Sequence, residues 1–204
     1  MPEATAEIIE ASTRAFTAEV HDGEEAPAFG SWVEVEQADT GHTLYGLVSH
    51  VEMGAREPGR QARAFGQSRE ELQRERPQVM ALLRTIFRAQ VLAYRTDPDD
   101  GGTIRQTLPP RLPSIHDFVR CCAPEAVRTL GAPYDFLRTL VQDPDPAVPT
   151  DDLLVAVLRQ VRAAHGKAHG EERSEDALVE AGRALSRLLD DDHERLQSIL
   201  RRVE

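Results

Sequence analysis

AFGSWVEVEQADTGHTLYGLVSHVEMG, residues 28–54, decides the reading of this chain. In Trp32-Val33-Glu34-Val35-Glu36 valines alternate with acids, the period-2 pattern of a half-buried strand. Ala38-Asp39-Thr40-Gly41 supplies turn chemistry, with Gly41 free to take a positive φ. Thr43 to Val51 reads as the returning strand, interrupted by Gly46. A glycine inside a strand marks a bend or a close backbone approach, and small closed barrels need such bends. The chain therefore opens as barrel-like β-structure, and the hairpin carries no catalytic motif. That points to a docking module.

The 204 residues fit one large or two small domains, and 40% hydrophobic content is enough to bury a core. No apolar run reaches the length of a membrane span. The opening MPEATAEIIE is acidic and does not read as a secretory leader, so a cytoplasmic protein is expected. Cys121 and Cys122 are adjacent, a poor geometry for a mutual disulfide, and two reduced thiols are expected. The net charge of −11 is uneven: −9 over residues 1–49, +1 over 50–150 and −3 over 151–204. An acidic N-terminal module repels phosphate backbones, which disfavours direct nucleic-acid binding there and favours basic protein surfaces.

Outside the hairpin, Ala6 to Val20 reads as one further strand, with Ile8, Phe16, Ala18 and Val20 on one parity. Ser68 and Glu71 form a capping box that starts a helical excursion near 68–84, where Val79, Leu82, Leu83 and Ile86 keep helical spacing. At Phe87 the period changes to two, so a strand is expected there, with a return strand over 103–108. Pro109, Pro110 and Pro113 make a boundary, giving a β-domain over 1–112 and an α-helical domain over 113–204. In the second part Pro124 opens a helix, Tyr134 to Val141 forms another, and Thr150 caps a third. His165 to Glu172 reads as a Gly-rich loop, followed by a helix capped by Ser174 and a final helix through Val203. The fold class expected is α+β: a small N-terminal barrel with a helical excursion, then helices.

In this order, IIEASTRAFTAEV, FGSWVEV, LYGLVSHVEMG, EPGRQARAFG, FRAQVLAYR, LPPRLPSIHDFV and DFLRTL, with RLQSILRRV at the end, resemble the stand-alone HAS-barrel proteins of cyanobacteria. The HAS barrel is named for HerA and ATP synthase. The resemblance implies a barrel that mediates assembly. It also implies a HerA-type ATPase or a NurA-type nuclease of DNA-end processing and repair as the partner. It implies no motor chemistry, since the ATPase core is a separate domain. A phosphate-binding loop needs Gly-x-x-x-x-Gly-Lys-Ser/Thr, and the only lysine, Lys167, is followed by Ala168.

The remaining constellations favour structural readings. His165 and His169 stand four apart, as metal ligands on a helix do, but Gly166 and Gly170 argue for a solvated loop. His116 with Cys121 and Cys122 matches no zinc spacing and carries no orienting group for a thiol nucleophile, so His116 is expected to be packed against the barrel. Asp97, Asp99 and Asp100 resemble part of a calcium loop, yet Leu108 stands where the twelfth-position Glu belongs. No metal, no cofactor and no catalytic residue are assigned, and an enzyme is not expected.

Arg56, Arg60, Arg63, Arg69, Arg74 and Arg76 form the one concentrated basic patch. They read either as a grip on an acidic partner, a phosphate or a neighbouring subunit, or as solvated arginines paired with Glu57, Glu70, Glu71 and Glu75. The expected function is a non-enzymatic interaction module, with Arg56, Arg60 and Arg63 as partner-binding residues and a homo-oligomer among its assemblies. The alternative is a nucleic-acid-binding protein acting through residues 56–76.

Overall fold

The computed structural model describes residues 4–57, 59, 61–169 and 171–203. The N-terminal part is a closed antiparallel barrel. Its strands are β1 (Ala6–Ala11), β2 (Ala15–Val20), β3 (Trp32–Glu36), β4 (Thr43–Ala55), β5 (Leu83–Arg95) and β7 (Phe118–Cys121). Hydrogen-bonded neighbours run β2-β1-β7-β3-β4-β5, and β2 pairs back onto β5 from Ala15↔Gln90 to Glu19↔Ile86. A short β6 (Ile104–Arg105) lies beside the end of β5. Closure leaves no barrel edge open for aggregation.

The hairpin read from residues 28–54 is present, with Trp32↔Leu47 and Glu36↔Thr43 as its outer pairs. Gly46 lies where a Cβ would meet Ala89 Cβ and Phe16 Cε1 at 3.1 Å each, so the predicted close approach is the Phe16 ring crossing the barrel. The interior is filled by alternating small and large side chains: Ala6, Ile8, Ala18, Val33, Leu44 and Ala89 around Phe16 and Phe87, whose rings meet edge-on at 6.5 Å.

The single strand expected over 6–20 is instead two. Ser12 makes the turn without Gly or Pro: its N–H and its hydroxyl both donate to Ala15 O at 2.8 Å, while Oγ accepts from the N–H of Ala15 and of Arg14. A bulge at Ile9 flips the inward parity, so Ala11 joins Ile8 on the interior face. The turn flips it back. Ile8 and Phe16 therefore keep one parity across a hairpin.

Three further expectations are corrected. The sheet crosses the boundary placed at 112: β7, beyond the prolines, pairs with β1 and β3 and closes the barrel. The return strand over 103–108 shrinks to β6, because Gln106 leaves the sheet to bridge helices, donating to Leu130 O at 2.8 Å and accepting from Phe136 N at 3.0 Å. The Gly-rich loop at 165–172 is mostly helix, and Gly170 lies outside the described residues.

The helices are α1 (Arg69–Glu75), α2 (Pro77–Met80), α3 (Pro124–Gly131), α4 (Phe136–Gln142), α5 (Thr150–His169), α6 (Glu171–Leu188) and α7 (His193–Val203). Ser174, expected as a cap, sits inside α6. Its buried hydroxyl donates to Arg162 O at 2.9 Å and ties α6 to α5. α4 and α5 pack against the outer face of the β3–β4–β5 wall, and α3, α6 and α7 pack on α5. Trp32, Tyr45, Leu47 and Leu92 share one apolar core with Leu130, Phe136, Leu154 and Val157, and Trp32 meets Phe136 edge-on at 5.1 Å. Each such side chain contributes roughly 1.5–3 kcal/mol on burial. No helix among the described residues is long and apolar enough to cross a membrane.

Candidate protein-docking surface

β4 and β5 outrun the barrel. Past Glu19↔Ile86, the last pair that β5 makes with β2, the pairs Met53↔Thr85, Gly54↔Arg84 and Ala55↔Leu83 have no third strand beside them. This ribbon leads to α1 and α2, neither of which holds a fully buried residue, with Leu72, Val79 and Met80 half-buried. Helices without a fully buried residue draw little stability from the core, so local bonds hold much of the arm, residues 56–82, together. Ser68 and Glu71 form the predicted capping box: Glu71 N donates to Ser68 Oγ at 3.1 Å and Ser68 N to Glu71 Oε2 at 2.8 Å. Gln67 Nε2 donates to Glu75 Oε2 at 2.8 Å, and the Arg76 guanidinium lies 5.3 Å over the Phe65 ring.

Between the ribbon and these helices runs a groove of about 830 Å³, lined chiefly by Phe65, Leu72, Val79, Met80, Leu82 and Leu83, with Arg63 in its wall. In the groove Phe65 is 40% exposed, and on the ribbon, outside the groove, Met53 is 54% exposed. An exposed apolar surface framed by charge marks an interaction site more than a stable free surface.

The three arginines singled out from sequence fall in different places. Arg56 is at the root of the arm, its Nη2 3.0 Å from Asp22 and 3.5 Å from Glu19, and Arg84 reaches the other oxygen of Glu19 at 3.5 Å. These bridges anchor the arm to β2 and its following loop. Arg63 faces the groove, and Arg60 lies outside the described residues. The apolar lining was missed. Val79, Leu82, Leu83 and Ile86 have helical spacing, but the helix ends at Met80 and Leu83 starts β5.

The β1–β7 seam holds a second exposed apolar cluster. His116 N donates to Ile8 O at 2.9 Å and Ile8 N to Asp117 O at 3.0 Å, which seats Ile115 to Phe118 beside Ile9. Phe118 is 51% exposed, Ile115 48% and Ile9 39%. His116, expected to be packed, is exposed at φ 73° with Nδ1 against Glu7 Oε1. His21 stacks edge-on to Phe118 at 5.8 Å.

The thiols are unsuited to nucleophilic work. Burial pushes the Cys122 thiol far above its ordinary value, with Glu34 and Cys121 adding to the shift, and burial raises Cys121 as well. Asp97 accepts from Asp99 N at 2.8 Å and caps a single 3₁₀ turn. Among the described residues no group of three or more His, Cys, Asp or Glu is placed to hold a metal ion. No family model matches the chain, and no curated protein matches it in sequence.

Proposed function

We propose that this chain is a non-enzymatic interaction module that docks a protein partner on the arm at residues 56–82. One observation carries the reading: two helices without a fully buried residue bound an apolar groove of about 830 Å³ at the end of a ribbon that leaves the barrel. Apolar anchors inside a charged rim are the usual anatomy of a binding hot spot. The barrel's resemblance to HAS barrels nominates the partner as a HerA-type ATPase or a NurA-type nuclease in cytoplasmic DNA-end processing. That step is analogy by fold. Arg56 acts as an anchor of the arm, and Arg63 supplies charge at the groove.

The test is titration calorimetry of the purified chain against the HerA-type ATPase and the NurA-type nuclease of its own organism. Phe65→Glu or Leu72→Glu is expected to weaken binding by about tenfold or more, since lost anchors cost about 1–2 kcal/mol each. Full affinity in both variants would overturn the docking assignment. Failure of both proteins to bind, together with a salt-sensitive shift of DNA, would replace it with nucleic-acid binding through 56–76.

A further inference from the structure

The apolar side chains of the arm join neither core. The barrel interior takes Val48 from β4 and Phe87 from β5, and the helical core takes Tyr45, Leu47 and Leu92 from the same two strands. Met53, Leu72, Val79, Met80, Leu82 and Leu83 belong to neither. α1 packs on α2, and between them and the barrel lies a hollow of about 350 Å³. Arg69, Gln73 and Met80 line it from the arm, and Val20, His21 and Asp22 from the end of β2 and its loop. The side-chain bonds that span the gap from the ribbon to β2 are ionic. One oxygen of Glu19 holds Arg56 and the other holds Arg84, both at 3.5 Å, and Asp22 holds Arg56 at 3.0 Å. Arg56 follows β4 and Arg84 lies on β5, so the cluster grips both strands of the ribbon where β2 leaves it. Water reaches all four groups, and Asp22 is 82% exposed.

A two-stranded ribbon is marginal without a third strand or a packed face. Exposed ion pairs are weak, and salt screens them. An element held only by such supports opens before the core does. We infer that the arm is a hinged flap and that Glu19 and Asp22, gripping Arg56 and Arg84, are its latch. The ribbon bends over residues 52–54 and 84–86, just past the last pair that β2 supports. A Cβ at Gly54 would meet nothing within 4 Å, so there is open space around the bend. With the latch closed, α1 and α2 stand over the hollow. With it released they swing away and uncover Val20, Met53 and Met80 on the hollow's walls. This goes beyond the docking reading of the arm and does not need it, because the flap belongs to the free chain.

Pulsed electron paramagnetic resonance on the full chain tests this, with one spin label on the β2–β3 loop and one on α1. Glu25→Cys and Glu70→Cys carry the labels, since both residues are exposed and neither lines the hollow. Cys121 and Cys122 are replaced by Ser, and circular dichroism verifies the fold. Two distances are expected at low salt, a short one from the latched arm and a longer one from the released arm. Salt should increase the longer one. Glu19→Gln with Asp22→Asn should increase it about threefold to tenfold at low salt and leave little further response to salt. Glu36→Gln removes the bridge to Arg120 at the other end of the barrel and should change nothing. A single distance that neither salt nor the latch variant moves, or an equal change in Glu36→Gln, would overturn the inference. The docking reading is scored separately, by whether Phe65→Glu weakens binding of the ATPase or nuclease.

Discussion

Gly30→Ala is the sharpest perturbation of the way helices and barrel meet. Gly30 has φ +79°, and its N–H donates to Val48 O at 2.7 Å, so the chain cannot turn aside. A Cβ built there lies 2.3 Å from Ala156 Cβ on α5, where carbon atoms ordinarily pack at about 3.5–4.0 Å. α5 is also stitched to this turn, since Gln160 Nε2 donates to Ser31 Oγ at 2.9 Å. Placing alanine in the left-handed region costs about 1–2 kcal/mol, and overpacking costs about 1–3 kcal/mol. The expected loss is about 2–5 kcal/mol, read as a lower urea midpoint with an unchanged slope. Ala156→Gly alone should cost about 0.5–1 kcal/mol of helix propensity. Combined with Gly30→Ala it relieves the collision but leaves the φ strain, so the double variant should recover about 1–3 kcal/mol relative to additivity. A loss below about 0.5 kcal/mol for Gly30→Ala, or strict additivity in the cycle, would show that α5 is not seated on this turn.

Two other outcomes follow from the same geometry. Ser68→Ala removes the capping box and should loosen α1 by about 1 kcal/mol, seen as faster amide exchange over 69–75. Because α1 holds no fully buried residue, the global melting temperature should hardly move. Burial pushes the phenols of Tyr45 and Tyr134 up to about 12 and raises both thiols. These acids stay neutral when folded but ionise in the unfolded chain near their ordinary values, about 8.5 for Cys and 10 for Tyr. Their contribution is complete below those values and is lost as pH rises toward the folded ones, so the urea midpoint should fall from pH 8 to 11. A midpoint that holds or climbs over that range would contradict the burial of these groups.

The sequence made some elements legible and hid others for definite reasons. The hairpin at 32–51 and the capping box at Ser68 are local signals and appear where their residues stand, while the strand expected from Phe87 is present but already begins at Leu83. The hairpin within 6–20 was hidden because the bulge at Ile9 and the Ser12 turn cancel in parity. β7 has four residues behind a proline segment, and only closure with β1 and β3 makes it a strand. Gly166 sits inside α5, where packing against α6, tied by the Ser174 hydroxyl to Arg162 O, outweighs the low helix propensity of glycine. At the candidate site, composition marked the arginines, yet the groove's apolar lining comes from three separate segments that no single period joins. Arg56 was picked out for charge, and the structure makes it the tether of the arm.

The docking role of the arm is tested most directly by a photo-crosslinking amino acid placed at position 65 in cells of the native organism. The same group at position 187, an exposed site on α6, serves as the control. The account predicts discrete protein-sized adducts from position 65 and none from 187. Absence of adducts at 65, or the same pattern at both positions, would contradict it.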